Sequence, residues 1–183
     1  MIIETVMTTI NKNKTPHFAA AGVELFSDKS DRVEFYFYKD SITAENLLKT
    51  KKGVINITDS ALHLVKSALI EPDFQVKKTP DKDGFYLSRA CSYLQFNVNS
   101  TAEKKEKYSI EAEIVSRVIL REYRGFNRAS NLLVEAAVRA SRIGISTSRK
   151  EVKEFLQKNK RIIIKTAGSR EIECYHFLKD YLN

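Results

Sequence analysis

Four polar side chains lie close together at one predicted strand-to-helix corner: Lys39, Ser41, Thr43 and Asn46. The strand-like segment "VEFYFY" precedes them, and a second, "GVINIT", follows the helix predicted over residues 41–51. The N-terminus of a helix has unpaired N–H groups and a partial positive charge, so it readily binds phosphate. Two hydroxyls and an ammonium group would add donors there. The simpler alternative is that Ser41 only caps the helix through its side-chain oxygen.

The segment "FAAAGV", residues 18–23, is the second feature that points to a ligand. Alanine and glycine are poor choices for a strand. They suit a strand where a large group must lie close against the backbone. A flat heterocycle would fit over Ala20, Ala21 and Gly22, whose backbone groups could bond its edge. The alternative is a bulge or a tight barrel corner at Gly22.

A predicted hairpin adds polar groups beside this small-residue segment. The strand-like runs "IIETVMTTIN" and "HFAAAGVELF" flank "KNKTP", whose composition is typical of a hairpin loop. Pairing the two runs would bring Thr8, Thr9 and Asn11 near the alanines. The alternative is that these three residues simply face solvent on an ordinary strand.

The chain has an excess of basic residues, with 31 lysines and arginines against 23 acidic residues. The formal net charge is +8 and the pI is about 9.4. Such an excess could attract the phosphates of nucleic acid or of a small anionic cofactor. It could equally belong to a solvated surface, so the charge alone does not decide between these functions.

Other classes of function lack their usual signatures in the sequence. Cys91 and Cys174 are far apart, and His17, His63 and His176 are equally scattered, so we expect neither a disulfide framework nor a metal site. No apolar run approaches the roughly 18 residues of a membrane span, and no basic leader is visible, so we expect a cytoplasmic protein. The P-loop, the dinucleotide fingerprint and the nucleophile elbow are not found.

The pattern of apolar residues changes near Gly125. Residues 1–123 read mainly as strands, with "SDKSD" as a turn before the third strand, and predict a β-barrel. Residues 124–183 show helical periodicity and predict a helical subdomain packed on the barrel. Asn127 is a candidate N-cap and Gly144 a candidate stop for its first helix. One stripe of that helix is polar, either solvated or facing a subunit interface, and comprises Arg128, Glu135, Arg139 and Arg142.

In this order the segments resemble a known family. The residues that carry the resemblance are "VMTTINKNKTPHFAAAGV", "FYFYKDSITAENLLKTKKGVINITDSALHLVKSAL" and "GFNRASNLLVEAAVRASRI". They are similar to the domain of unknown function 447 family, an archaeal and occasionally bacterial group among the flavin-reductase-like, FMN-binding split barrels. The resemblance covers nearly the whole chain. Its most specific part is the S-x-T-x-x-N-L run followed by a strand and "TD".

The resemblance implies a six-stranded Greek-key split barrel that forms a homodimer and holds FMN near the subunit interface. It implies that the phosphate lies at Lys39, Ser41 and Thr43, with Asn46 behind them. It also implies that the edge of the isoalloxazine ring meets the first two strands, at Thr8, Thr9 and Asn11 and at Ala20, Ala21 and Gly22.

The first functional hypothesis is therefore a homodimeric FMN-binding flavoprotein, a flavin-dependent oxidoreductase or flavin reductase with NAD(P)H as donor. No protein side chain is assigned a catalytic role, because the flavin carries the redox chemistry. One alternative keeps the fold but replaces FMN by a deazaflavin, a haem or a pterin. Another is a non-enzymatic basic module that binds nucleic acid, supported by the lysine-rich segment 149–170. This last alternative is disfavoured because Glu151 and Glu154 interrupt the positive charge.

Overall fold

Six antiparallel strands close into a barrel, as the computed structural model of residues 1–26 and 30–183 describes it. Part of the predicted "SDKSD" turn, residues 27–29, lies outside the described residues. The barrel strands are β1 (Ile2–Ile10), β2 (Pro16–Leu25), β3 (Arg32–Tyr38), β4 (Lys52–Ile57), β7 (Ser92–Lys104) and β8 (Lys107–Ile119). Two short strands, β5 (Val76–Lys78) and β6 (Phe85–Leu87), pair with each other.

The order of strands around the barrel is β1-β2-β3-β8-β7-β4. Because β4 returns to lie beside β1, the first four strands have the 4-1-2-3 order of a Greek key. The chain makes this return through helix α1 (Ile42–Thr50), which connects β3 to β4. The predicted fold class, a six-stranded barrel followed by helices, is confirmed.

Alternation along β3 shows how the sequence fills the barrel. Val33, Phe35 and Phe37 are buried in the barrel core, and Phe35 packs edge-on against Phe96 with ring centroids 5.2 Å apart. The intervening Tyr36 and Tyr38 face outward and are 46% and 45% exposed. Successive residues of a strand point to opposite faces, so one aromatic run supplies both the core and an exposed aromatic face.

The remaining helices are α2 (Ala61–Leu69), α3 (Arg128–Ala140), α4 (Arg149–Thr166) and α5 (Ser169–Tyr181). The chain forms two compact units, and the barrel unit comprises residues 1–58 and 72–122. The helical unit comprises residues 59–71 and 123–183, so it includes α2, which the sequence places among the barrel strands. Among the described helices, none is long and apolar enough to cross a membrane.

The helical unit has a core of its own. Val65 of α2 and Leu133 of α3 are buried with Ile163 of α4. Each unit also contains one buried cysteine, Cys91 in the barrel unit and Cys174 in the helical unit. Burial raises the pKa of the Cys174 thiol to about 12.

The caps of α3 differ in how well the sequence predicts them. The Asn127 side chain accepts a hydrogen bond from the Ser130 N–H at 3.0 Å, which confirms the predicted N-cap. The helix ends at Ala140 rather than at Gly144, because the N–H groups of Arg142 and Ile143 bond to carbonyls only three residues back. The carbonyl of Arg142 then accepts from three following N–H groups and closes a turn. Gly144 takes the left-handed conformation within that turn, at φ 85°.

Two members of the polar stripe on α3 are engaged within the helical unit. Arg139 Nε lies 2.8 Å from a carboxylate oxygen of Glu135, one helical turn earlier. The Arg139 guanidinium also lies 4.7 Å from the centroid of the Phe155 ring on α4.

Candidate functional site

Ser41 is the N-cap of α1, as one interpretation of the sequence predicts. Its hydroxyl accepts from the Ala44 N–H at 3.2 Å and donates to the Tyr38 carbonyl at 2.7 Å. The first N–H groups of the helix, at Ile42 and Thr43, lie outside the helix's own hydrogen bonds. The corner therefore has two backbone donors at the helix N-terminus, whereas the hydrogen of the Ser41 hydroxyl is already donated to Tyr38.

Lys39 supplies the positive charge of this corner, but it is paired. Its Nζ lies 2.6 Å from Glu103 Oε2 on β7, and 5.6 Å from the centroid of the Tyr108 ring on β8. The two charged side chains are 34% and 68% exposed. Exposed ion pairs contribute only about 0–1 kcal/mol, so an anion could draw Lys39 away from Glu103 at little cost.

Thr43 points into the protein rather than out of the corner. It is 2% exposed, and its Oγ1 lies 3.1 Å from Nε2 of His17, which is also buried. Sequence reasoning missed His17, because an isolated histidine in a strand carries no motif. The hairpin register could have indicated it, since His17 lies directly opposite Thr9.

Asn46 joins the corner to the first strand. Its Nδ2 donates to Thr9 Oγ1 and to Asn11 Oδ1, each at 3.0 Å. Asn46 is 6% exposed and Thr9 is 1% exposed, so this is a buried network. The structure thus brings together Thr9, Asn11 and Asn46 of the predicted residues. It fixes the first two turns of α1 against β1.

Thr8 lies in a different hydrogen-bond network. Its Oγ1 accepts from Asn56 Nδ2 at 2.9 Å, and the same amide nitrogen donates to the Val6 carbonyl. The Asn56 Oδ1 in turn accepts from the Leu87 N–H at 2.7 Å, which ties β6 to the barrel wall. Thr8 and Thr9 are adjacent in a strand and point to opposite faces, so they do not form one polar patch.

The distance along the hairpin between the small residues and the threonines is larger than predicted. The small residues are Ala20, Ala21 and Gly22, and the threonines are Thr8 and Thr9. The small residues pair with Val6, Thr5 and Glu4, whereas Thr8 and Thr9 pair with Phe18 and His17. At about 3.3 Å per residue, Ala20 lies about 10 Å from His17 along the strand. The three small residues therefore form a group separate from the polar network.

The ladder explains Gly22 without a bulge. Pairing between β1 and β2 runs without interruption from Ile2 to Ile10. A Cβ atom at Gly22 would lie 3.1 Å from Ile2 Cγ2. Glycine thus fits a close approach of the first strand, while Ala20 remains half-exposed.

Solved structures share this fold. An FMN-bound protein from Methanosarcina mazei, described by the DUF447 family model, is 20% identical, with a TM-score of 0.81 over 98% of this chain and 94% of that chain. A flavoredoxin from Methanosarcina acetivorans is 16% identical, with a TM-score of 0.57 over 67% and 70%. The flavin reductase of a styrene monooxygenase from Pseudomonas putida S12 is 14% identical, with a TM-score of 0.54 over 64% and 81%. The fold is that of the FMN-binding split barrels.

Family models match both parts of the chain. The N-terminal domain of the protein of unknown function family DUF447 matches residues 3–121, and a second DUF447 domain matches residues 127–180. No curated protein matches the chain. The two matched domains follow one another in a single chain and leave only a few residues uncovered. The chain therefore belongs to the DUF447 family.

Proposed function

We propose that the protein binds FMN and acts as a flavin-dependent oxidoreductase or flavin reductase. The observation that carries this proposal is the buried network of Asn46, Thr9 and Asn11. It holds the N-terminal turns of α1 against the barrel and so fixes two free N–H groups in position for a phosphate. The likeness to an FMN-bound protein along almost the whole chain supports the same assignment.

The residues at the corner fit the phosphate of FMN. A phosphate takes hydrogen bonds from backbone N–H groups at a helix N-terminus and from hydroxyls. Here the backbone N–H groups of Ile42 and Thr43 would hold it, with Lys39 as the counter-charge, because the Ser41 hydroxyl already donates its hydrogen to Tyr38. The Thr43 hydroxyl instead supports the corner from inside, through its contact with His17.

The half-exposed Ala20 would meet the flavin ring, as its small side chain leaves room for a flat group. The flavin supplies the hydride and electron chemistry when bound. The side chains of the protein bind and orient it. Thr9 and Asn11 are already bonded to Asn46, so in this proposal they position the helix and the strand rather than react.

We also propose that the protein is a homodimer, with the exposed aromatic face of β3 at the interface. Tyr36 and Tyr38 are each nearly half exposed, and Lys107 lies 4.5 Å from the centroid of the Tyr38 ring. Aromatic residues are enriched in interfaces between subunits, and a twofold symmetric partner is the commonest way to cover such a face.

The experiment that tests the proposed cofactor compares FMN with riboflavin, which lacks the phosphate. Both are titrated into the purified protein by flavin fluorescence, and the visible spectrum of the protein is recorded before and after. We expect FMN to bind at least about tenfold more tightly, since charge-assisted hydrogen bonds contribute about 1.5–3 kcal/mol each. Equal affinity for the two flavins would contradict the phosphate site. No binding of either would contradict the proposed function.

A further inference from the structure

A pocket lined by lysines lies in the barrel unit, apart from the corner at Ser41. Its volume is about 440 Å³, and four of its eight lining residues are lysines. Lys14 comes from the β1–β2 turn, Lys52 begins β4, Lys78 ends β5 and Lys82 lies in the β5–β6 turn. Three separate parts of the chain therefore contribute a positive charge to one pocket.

Most of this charge is not neutralised by the protein. Asp83 is the one acidic residue among the lining residues, and it pairs with Lys52. Among the described residues, Lys14, Lys78 and Lys82 have no carboxylate partner within ion-pair distance; Lys78 lies 5.9 Å from the centroid of the Phe85 ring. Like charges gathered on one concave surface repel each other and attract an anion. A phosphate group carries about two negative charges at neutral pH, so the excess charge matches more than one phosphate.

Two of these lysines lie at turn positions with an unusual backbone conformation. Lys14 and Lys82 have φ angles of 69° and 63°, in the left-handed region where glycine and asparagine are favoured. Turn geometry alone would select glycine at both positions. The chain instead places a lysine there, and both side chains line the same pocket. The apolar residues Ile10 and Phe85 line it as well, which gives an organic ligand a surface to contact.

This pocket is distinct in position from the corner. It includes Thr50, the last residue of α1, whereas Ser41 lies just before the first. Nine helical residues at 1.5 Å each separate the two ends by about 14 Å. We propose that Lys14, Lys52, Lys78 and Lys82 form a second anion-binding site, which takes a small molecule with a pyrophosphate group in addition to any flavin bound at the corner.

Calorimetric titration with inorganic pyrophosphate and with ADP tests this site. We expect both ligands to bind the wild-type protein, and to bind more weakly when the salt is raised from low to physiological concentration. The double variant Lys14→Gly, Lys82→Gly should lose about tenfold or more in affinity for both, because it removes two charged donors. Its thermal midpoint should stay the same or rise, since glycine relieves both left-handed positions.

Lys51→Gly is the matched control. Lys51 also has a left-handed backbone, at φ 55°, but it does not line the pocket. The Lys51→Gly variant should leave pyrophosphate affinity unchanged within about twofold. Its thermal midpoint should stay the same or rise, as in the double variant. Lys78→Gln, which leaves both turns intact, should weaken binding without the backbone change. Pyrophosphate affinity that is the same in the double variant and in Lys78→Gln as in wild type would overturn the proposal.

Further outcomes separate this site from its alternatives. FMN affinity should be the same in the double variant as in wild type; if it falls together with pyrophosphate affinity, the lysines belong to the flavin site and the proposal is wrong. If a short single-stranded oligonucleotide binds more tightly than ADP, the ligand of this site is nucleic acid, and the proposal of a small molecule is wrong. ADP binding more tightly than pyrophosphate identifies a nucleotide, and equal binding identifies the pyrophosphate group alone. Failure of wild type to bind FMN would contradict the proposed function but not this site.

Discussion

At the scale of single residues, the corner of α1 shows how a predicted ligand site can also serve the fold. The hydroxyl of Ser41 caps the helix, Thr43 contacts His17, and Lys39 pairs with Glu103. Each predicted side chain has a partner within the protein. A phosphate at this position must therefore depend on the backbone N–H groups and on the ease with which Lys39 leaves its exposed partner.

Substitutions of Lys39 and of Glu103 should change FMN affinity in different directions. Lys39→Met should weaken FMN binding by about fivefold to tenfold, because it removes a charge near the phosphate. Glu103→Gln should leave FMN affinity unchanged or raise it severalfold, since Lys39 then has no competing carboxylate. Riboflavin affinity should not respond to either change. Fluorescence titration of both flavins measures all of these affinities, and identical FMN affinity in the three proteins would exclude Lys39 from the site.

Asn46 gives a prediction about stability. Asn46→Leu keeps the number of non-hydrogen atoms but removes both N–H donors, so the buried Thr9 hydroxyl and the partly buried side-chain Oδ1 of Asn11 each lose a partner. Leaving buried polar groups unpaired costs about 1–3 kcal/mol, and the free energy of unfolding should fall by that amount. Lys49→Leu on the exposed face of the same helix is the control and should change stability by about 0.5 kcal/mol or less. Urea unfolding of the two variants measures the difference.

At the scale of helices and strands, the sequence predicts which elements form better than it predicts which elements pack together. The aromatic run of β3, the cap at Ser41 and the extent of α1 all follow from local patterns, and the structure has them. The register of the β1–β2 hairpin does not follow from such patterns. A shift of a few residues moves Thr8 and Thr9 away from Ala20 and toward His17, and only pairing fixes that shift.

Helix α2 shows the same limit. Its period and its stop before Pro72 are visible in the sequence, but nothing local indicates which core it joins. Val65 packs with residues from the C-terminal helices, more than sixty positions later in the chain. Long-range packing of this kind depends on the whole set of apolar faces, not on the pattern of one helix.

Gly53 in β4 gives a prediction about strand packing. A Cβ atom at this position would lie 2.5 Å from Cζ of Phe96, which is buried in the barrel core. Gly53→Ala should therefore destabilise the barrel by about 1–3 kcal/mol through overpacking. Adding Phe96→Leu should recover part of this loss, because the shorter side chain makes room. Thermal unfolding of the two single variants and the double variant tests the coupling, and strictly additive losses would argue against this contact as the cause.

At the scale of the whole molecule, the proposed dimer predicts the mass in solution, and it predicts that two substitutions at the interface lower that mass. Sedimentation should give about twice the chain mass of 21.0 kDa at micromolar concentration. Tyr36→Lys together with Tyr38→Lys should shift the protein toward the monomer, because like charges would meet across a twofold axis. A matched change away from this face, Lys49→Glu, should leave the mass unaffected. A monomer mass for the wild-type protein would contradict the proposed interface.

Glu34 lies on the same outer face of β3 as Tyr36, and it makes the stability of the protein depend on pH. Hydrogen bonds from the hydroxyls of Ser109 and Tyr36 hold the pKa of the Glu34 carboxyl below its usual range. A depressed pKa in the folded state contributes stability above the unfolded value, near 4.5, and that contribution is lost as the pH falls through the folded value. Ser109→Ala should therefore reduce the stability difference between pH 7 and pH 3, as measured by urea unfolding at the two pH values.

The two cysteines can report on partial unfolding, because each of them lies in a different unit. Cys91 is buried in the barrel unit and Cys174 in the helical unit, and the chain has no other thiol. At neutral pH a thiol with a pKa of about 12 forms almost no thiolate, so Cys174 should resist alkylation until its surroundings open. Timed labelling followed by peptide mass spectrometry would then give a separate exposure rate for each thiol. Two different rates would mean that one unit can come apart while the other stays closed, and a single shared rate would mean that both open in one cooperative event.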